Sequence, residues 1–418
     1  MPIKRITSLA LCLLLSLPMT VWGDEVIPAG GREEAELKGI ATEYYSEDLM
    51  EPLEEIAETA TEPGTNLDLP AKGAALMEVS TGRLLYEQDA HQQLAPASIT
   101  KVMSLLLIME AIDRGQFGLD TVVTASDYAC SLGGSQIWLE PGETMTVDEL
   151  LKATAVASAN DATVALAELV AGSEEGFVER MNQRAQELGM QDTHFVNSTG
   201  LDAEGHMTSA YDVAIMSREL IQHELIKNYS TIWMDSLRGG QSSLVNTNKL
   251  VRFYPGATGL KTGTTSQAGS CLAATAQRDG MELVAVVLGC PTSNDRFNSA
   301  RKLLDHGFAN WARVTVSVDE ALLAPVPVRK GMASSVSVHI EEMDSILVPK
   351  GRQSDLVQNV DMLSEIEAPV YQDQQLGQIR LTLDEEEVGC INILAGETVE
   401  RLTFSRAVGR LLRALFTL

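Results

Sequence analysis

Pro96-Ala97-Ser98-Ile99-Thr100-Lys101-Val102-Met103-Ser104-Leu105-Leu106-Leu107-Ile108-Met109 is the stretch on which both fold and chemistry turn. Past Lys101 it is apolar nearly all round, and a helix apolar on every side belongs in a core. Pro96 and Ala97 lead into it, so Ser98 sits at or near the helix N-terminus. Residues three apart share a helix face, which sets the Lys101 amine beside the Ser98 hydroxyl. A lysine at the head of a buried helix is desolvated, and desolvation lowers its pKa. That is the condition under which an amine acts as base toward a serine hydroxyl near neutral pH. Taken alone the pair is weak evidence, because a capping serine followed by a snorkelling lysine has the same spacing.

Outward from this helix, residues 75–79 and 84–86 are apolar runs around Ser80-Thr81-Gly82 and read as a β-hairpin. Downstream, Thr146-Val147-Asp148-Glu149 fits a capping box opening a second helix that ends near Ala157. A third helix is expected over 162–170, stopping at Gly172. Three strands follow, one through Lys261, one over 271–276 and one over 283–289, with Asp279-Gly280 as the turn between the last two. Helices enclosed by strands from both ends of the segment imply an α+β domain on an antiparallel sheet, assigned to 67–312. Past Trp311 short alternating strands over 314–318, 326–328, 336–340, 379–383 and 388–394 imply a small all-β domain, 313–398. In 399–418, Phe404, Val408, Leu411, Leu412, Leu415 and Leu418 form an apolar stripe beside Arg406, Arg410 and Arg413. That pattern predicts a C-terminal amphipathic helix, too short and too charged to span a bilayer but suited to lie on an anionic membrane surface.

Two further motifs stand at element boundaries. Ser158-Ala159-Asn160 falls in the break between two helices, where a hydroxyl and an amide two apart can face one cavity. The plainer reading is a helix cap by Asn160 or Asp161. Lys261-Thr262-Gly263, followed by Thr264-Thr265, lies on a strand. There Gly263 leaves room for a substrate along the strand edge, where main-chain pairing supplies affinity. Lys261 and Thr262 can hold a carboxylate, and the N–H groups of Ser98 and Thr264 suit an oxyanion hole.

The remaining composition narrows the field. The 418 residues carry a formal charge of −27, which disfavours a nucleic-acid partner. Lys4 and Arg5, the apolar run 6–17 and Val21-Trp22-Gly23 read as a signal peptide over 1–23, cut ahead of Asp24. An acidic leader, expected to be solvated, follows over 24–66. Cys130, Cys271, Cys290 and Cys390 have no metal-ligand spacing and read as buried thiols, with a Cys271–Cys290 bridge left open. None of the six histidines lies within a motif; His206 and His223 are expected at the surface.

Ser-x-x-Lys, Ser-x-Asn and Lys-Thr-Gly, in that order and each in a suitable structural context, resemble the serine penicillin-recognising enzymes. Within these, the chain is most similar to the low-molecular-mass penicillin-binding proteins that are D-alanyl-D-alanine carboxypeptidases, over roughly residues 69–418. Ser198-Thr199-Gly200-Leu201 and Ser209-Ala210-Tyr211-Asp212 look like that family's later segments. The resemblance implies a β-lactamase/transpeptidase-like catalytic domain with Ser98 as nucleophile and Lys101 as general base. Ser158 and Asn160 would assist proton transfer, and Lys261, Thr262, Gly263 and Thr264 would bind substrate. Arg296 lies where the family often has a basic residue near the substrate carboxylate. It implies no metal or organic cofactor, peptidoglycan stem peptides ending in D-Ala-D-Ala as substrate, β-lactams as inhibitors, and a place on the outer face of the cytoplasmic membrane. A D,D-endopeptidase remains an alternative. A class A β-lactamase would need a Glu-x-x-Leu-Asn loop between Asn160 and Lys261, and none occurs; a non-catalytic scaffold would be expected to have lost Ser98 or Lys101.

Overall fold

The computed structural model describes residues 66–318, 323–341 and 345–409. The expected signal peptide, all but the last residue of the acidic leader, and residues 410–418 of the C-terminal helix therefore lie outside the described residues.

The frame is a five-stranded sheet in the order β2-β1-β9-β8-β7. β1 (Gly73–Glu78) and β2 (Leu84–Gln88) form the expected hairpin, and β7 (Ala257–Thr265), β8 (Gly269–Arg278) and β9 (Met281–Cys290) form the meander. The two ends of the segment meet where β1 runs antiparallel to β9, from Gly73 opposite Leu288 to Glu78 opposite Leu283. β9 is an unbroken apolar run from Leu283 to Leu288 because both faces of the sheet are covered. Ala75, Met77, Val284, Val286 and Leu288 face one core, and Ala74, Leu76, Leu283, Ala285 and Val287 face the other.

The first core is helical. A 3-10 turn over Ala97–Thr100 runs into α1 (Lys101–Asp113), so the predicted helix begins in a tighter form than expected. Every residue from Lys101 to Met109 in α1 is buried, as its all-round apolar pattern requires. Between α1 and the next long helix lie β3 (Val122–Thr124), the short α2 (Asp127–Cys130) and β4 (Thr144–Thr146). α3 (Val147–Val156) opens with the predicted capping box between Thr146 and Glu149, and α4 (Asn160–Ala171) ends at Gly172. α5 (Glu174–Glu187), α6 (Ala210–Ile221) and α7 (Glu224–Ser230) complete this face. A small hairpin of β5 (Met234–Leu237) and β6 (Ser242–Val245), then α8 (Leu250–Phe253), leads into β7. α9 (Ser293–Asn310) covers the opposite face through Phe297, Ala300, Leu303 and Leu304.

The C-terminal part is all-β. β10 (Trp311–Val314) pairs with β14 (Ile346–Pro349), so the strand expected over 314–318 lies earlier in the chain. β11 (Val326–Arg329), β12 (Ser335–Val336) and β16 (Ile366–Glu367) form one sheet. β13 (Val338–Ile340), β18 (Glu386–Ala395), β17 (Gln375–Leu383) and β15 (Val357–Met362) form another. The strand expected over 336–340 is thus divided between two sheets. Residues 404–409 are helical, with Phe404 86% exposed. Among the described residues no helix is long and apolar enough to cross a membrane. The four described cysteines are free thiols, which leaves Cys271 and Cys290 unbridged.

Candidate active site

The site is built where α1, α4, β7 and the 197–202 loop converge. Lys101 has no exposed surface, and its Nζ lies 2.6 Å from Asn160 Oδ1, 2.7 Å from Thr199 O and 3.2 Å from Ser98 Oγ. Lys101 Nζ donates to all three, with the Ser98 hydroxyl at the longest distance. Asn160 is held in turn by Nδ2 donating to Gly133 O at 2.6 Å. The N-cap of α4 is Ala159, which has no capping side chain, and Asn160 is spent on Lys101 and Gly133, but Asp161 does satisfy the first turn by accepting from the Ala162 N–H at 2.9 Å. Asp161 also accepts from the Ile137 and Leu139 N–H groups and tethers the 133–139 loop behind Asn160. Burial pushes its carboxyl pKa up, against the pull of those donors.

Ser158 stands two residues before Asn160 with φ +62, a left-handed conformation that costs a serine about 1 kcal/mol or more. It is 3% exposed, and its Oγ makes no hydrogen bond to the described residues. Ser98 itself remains partly exposed.

β7 is an edge strand of the sheet and carries Lys261 to Thr265. Alternation puts Lys261, Gly263 and Thr265 on one face and Thr262 and Thr264 on the other. A Cβ on Gly263 would lie 3.0 Å from the Ser98 and Ile99 nitrogens, so its bare Cα admits the Ser98 turn against the strand. Lys261 is 1% exposed and donates from Nζ to Thr262 O at 2.9 Å. Burial, then the charges of Lys101 and Arg296, hold its pKa well below the ordinary lysine value. Thr262 Oγ1 donates to Thr247 Oγ1 at 2.6 Å, which ties β7 to the buried polar segment 246–249. Arg296, on α9 and 2% exposed, donates to Gly263 O at 3.2 Å and Thr264 Oγ1 at 2.8 Å. It is thus locked onto the strand itself, on the face where Thr264 points.

Sequence reasoning missed the second layer. Asn197 Oδ1 accepts from the Thr199 and Gly200 N–H groups, and buried Glu174 accepts from Ser198 N and Oγ. Tyr128 also donates to Glu174, and that bond, with burial and nearby carboxylates, pushes the phenol pKa up to about 12. Thr265 Oγ1 donates to Asp202 Oδ1 at 2.7 Å, joining the loop to β7. His206 is a correction. It is 2% exposed rather than at the surface, packed edge-on to Phe195, because its two ring nitrogens find partners in the interior. His223 is partly exposed and pairs with Asp113. No local signal separates a buried polar residue from an exposed one when its partners are distant in sequence. Among the described residues no cluster of three or more His, Cys, Asp or Glu is arranged to hold a metal ion.

A sequence profile of D-alanyl-D-alanine carboxypeptidases matches residues 57–292, and one for the C-terminal domain of penicillin-binding protein 5 matches 313–401. The chain is 43% identical over 338 residues to the D-alanyl-D-alanine carboxypeptidase DacF of Bacillus subtilis, covering 80% of this chain and 87% of that one. It is 32% identical to DacC of Escherichia coli over 79% of this chain and 84% of that one. Among solved structures, penicillin-binding protein 5 of Haemophilus influenzae superposes with a TM-score of 0.72 at 29% identity, over 81% of this chain and 99% of its own. Penicillin-binding protein D2 of Listeria monocytogenes, in its ampicillin-bound form, superposes over 58% of this chain and 100% of its own, with 33% identity and a TM-score of 0.51.

The geometry makes Gly200 the least replaceable loop position. Its φ is +89, and an added Cβ would fall 1.8 Å from Ala97 O. Gly200→Ala is expected to destabilise the fold by about 1–3 kcal/mol and to displace the Thr199 carbonyl from Lys101. The urea midpoint of unfolding and the penicillin acylation rate should both fall; an unchanged acylation rate would show that the loop does not position Lys101.

Proposed function

Because the chain belongs to the D-alanyl-D-alanine carboxypeptidase family, and is a serine-type carboxypeptidase, we propose that Ser98 is its nucleophile and Lys101 its general base. The observation that carries this reading is the Lys101 amine itself, dry and held on Asn160 and Thr199 with Ser98 Oγ beside it. Ser98 Oγ attacks the carbonyl carbon between the two terminal D-alanines as its proton passes to Lys101 Nζ. The C–N bond breaks, and Ser158, aided by Lys101, delivers a proton to the departing D-alanine amine. Water then hydrolyses the acyl-enzyme ester and restores the serine. The Ser98 and Thr264 N–H groups hold the developing oxyanion.

The substrate is read as a peptidoglycan stem peptide ending in D-Ala-D-Ala, lying as an added strand along the β7 edge. Gly263 keeps that edge close to the nucleophile. Lys261, Thr262, Thr264 and Arg296 serve its free terminal carboxylate, the two cations by their field and by fixing the strand. β-Lactams enter the same site as acylating mimics. The apolar run and basic residues in 1–23 support export, and the stripe from Phe404 to Leu418 beside three arginines supports a peripheral hold on the outer face of the cytoplasmic membrane.

Three outcomes test this. Labelled penicillin is expected on Ser98 by peptide mapping; an adduct on Ser104 or Ser158 would end the assignment. A lysine held below its ordinary pKa loses its charge as pH rises through that lowered value, and a bound carboxylate favours the charged form. KM for a free-acid peptide should therefore rise with pH in that range, with proton uptake on binding, while an amidated peptide shows neither. An equal pH response for both peptides would remove Lys261 from carboxylate binding. Full-length enzyme should sediment with anionic vesicles and lose that property in high salt, whereas deleting residues 400–418 should give soluble, active enzyme. Identical partitioning of the two forms would dispose of the tether.

A further inference from the structure

His206 is far from the three motifs in sequence and touches none of the reacting atoms, yet it ends on the peptide that precedes the nucleophile. The Val196 N–H donates to its Nδ1 at 2.9 Å, so the ring proton is on Nε2. Nε2 lies 2.8 Å from Thr100 Oγ1 and donates to it. The Thr100 hydroxyl, with its own hydrogen, donates to Ala97 O at 2.9 Å. Thr100 has no exposed surface, and burial holds the His206 pKa down to about 4, so the ring stays neutral near pH 7 and the direction of donation is fixed.

Ala97 O and the Ser98 N–H belong to one peptide, and in a trans peptide they point in opposite directions. The carbonyl lies against Gly200 and is turned to Thr100, while the nitrogen lies between Gly200 and Gly263 of β7, 2.9 and 3.0 Å from where a Cβ on each would stand. Ser98 also stands in the first turn of a 3-10 helix, where leading N–H groups have no partner within the helix. Drawing the carbonyl inward therefore turns the N–H toward β7 and the cleft. A hydrogen bond accepted by the carbonyl also polarises the peptide and strengthens the N–H as a donor. Ala97 has φ +50, so the turn needs such an external hold.

We infer that His206, acting through Thr100, is a positioning residue that aims and polarises the Ala97–Ser98 peptide so that the Ser98 N–H meets the developing oxyanion. This rests on the proposed role of Ser98. The chain of donors contributes to the transition state and not to ground-state binding, because the oxyanion exists only after attack.

The test uses full-length variants and stopped-flow acylation by penicillin, separating the noncovalent dissociation constant from the first-order acylation constant. His206→Asn keeps an acceptor near Nδ1 for Val196 but has nothing to reach Thr100; His206→Gln carries its amide to the Nε2 position. Thr100→Val removes the hydroxyl at constant volume, and Thr100→Ser retains it. The Asn and Val variants should acylate on the order of 10-fold more slowly, with noncovalent affinity within about two-fold of the parent. The Gln and Ser variants should acylate near the parent rate. The Thr100→Val/His206→Asn double variant should be no slower than Thr100→Val, since both break one chain. Equal rates for the Asn and Gln variants, a slower Gln variant, or effects that multiply in the double variant would overturn the inference. If Thr100→Val does not fold, the comparison at His206 decides alone. A penicillin adduct away from Ser98 would instead sink the underlying reading of the site; an adduct on Ser98 with unchanged rates sinks only the relay.

Discussion

A lysine amine with no exposed surface must find its acceptors inside the protein, and the way Lys101 does so sets the terms for the rest of the catalytic domain. Its two close acceptors come from different elements: the Asn160 side chain at the head of α4 and the Thr199 carbonyl on the 197–202 loop. Each acceptor has its own support. Asn160 is pinned on Gly133, and Asp161 anchors the surrounding loop. Thr199 is fixed by Asn197, and the neighbouring Ser198 by Glu174 and by Ser104 of α1. A buried polar network satisfied at every level rigidifies the site, whereas a half-satisfied one would cost more than an apolar core.

The sheet supplies the other boundary. Since β1 closes the sheet on β9, β7 is left as an edge. The same strand presses Gly263 against the Ser98 turn and receives Arg296 from α9 on its far face. One strand thus meets the Ser98 turn on one face and a buried cation on the other. This is possible because strand alternation sends neighbouring residues in opposite directions.

Charge is distributed against the average. A chain of formal charge −27 gathers Lys101, Lys261 and Arg296 around one strand and one helix start, all nearly without exposed surface. Lys261 feels the other two as like charges, and burial adds to that effect. A site prepared in this way gains most from a ligand that brings a negative charge, which suits a peptide with a free terminal carboxylate.

The α+β class, the β1–β2 hairpin, the β8–β9 turn at Asp279-Gly280, the Thr146–Glu149 capping box and the three motifs are legible in the amino-acid order alone. Each is a local signal, a periodicity or a spacing, that needs no distant partner. Packing between distant elements put His206 in the interior, gave Asn160 to Lys101 in place of a cap on α4, and turned Thr262 to Thr247. It also brought the carbonyl of Thr199 to Lys101 as an acceptor. A backbone carbonyl is present at every residue, so nothing in its letter marks it out. A buried polar side chain differs from an exposed one solely in what other elements bring to it, and that is settled by packing across tens of residues.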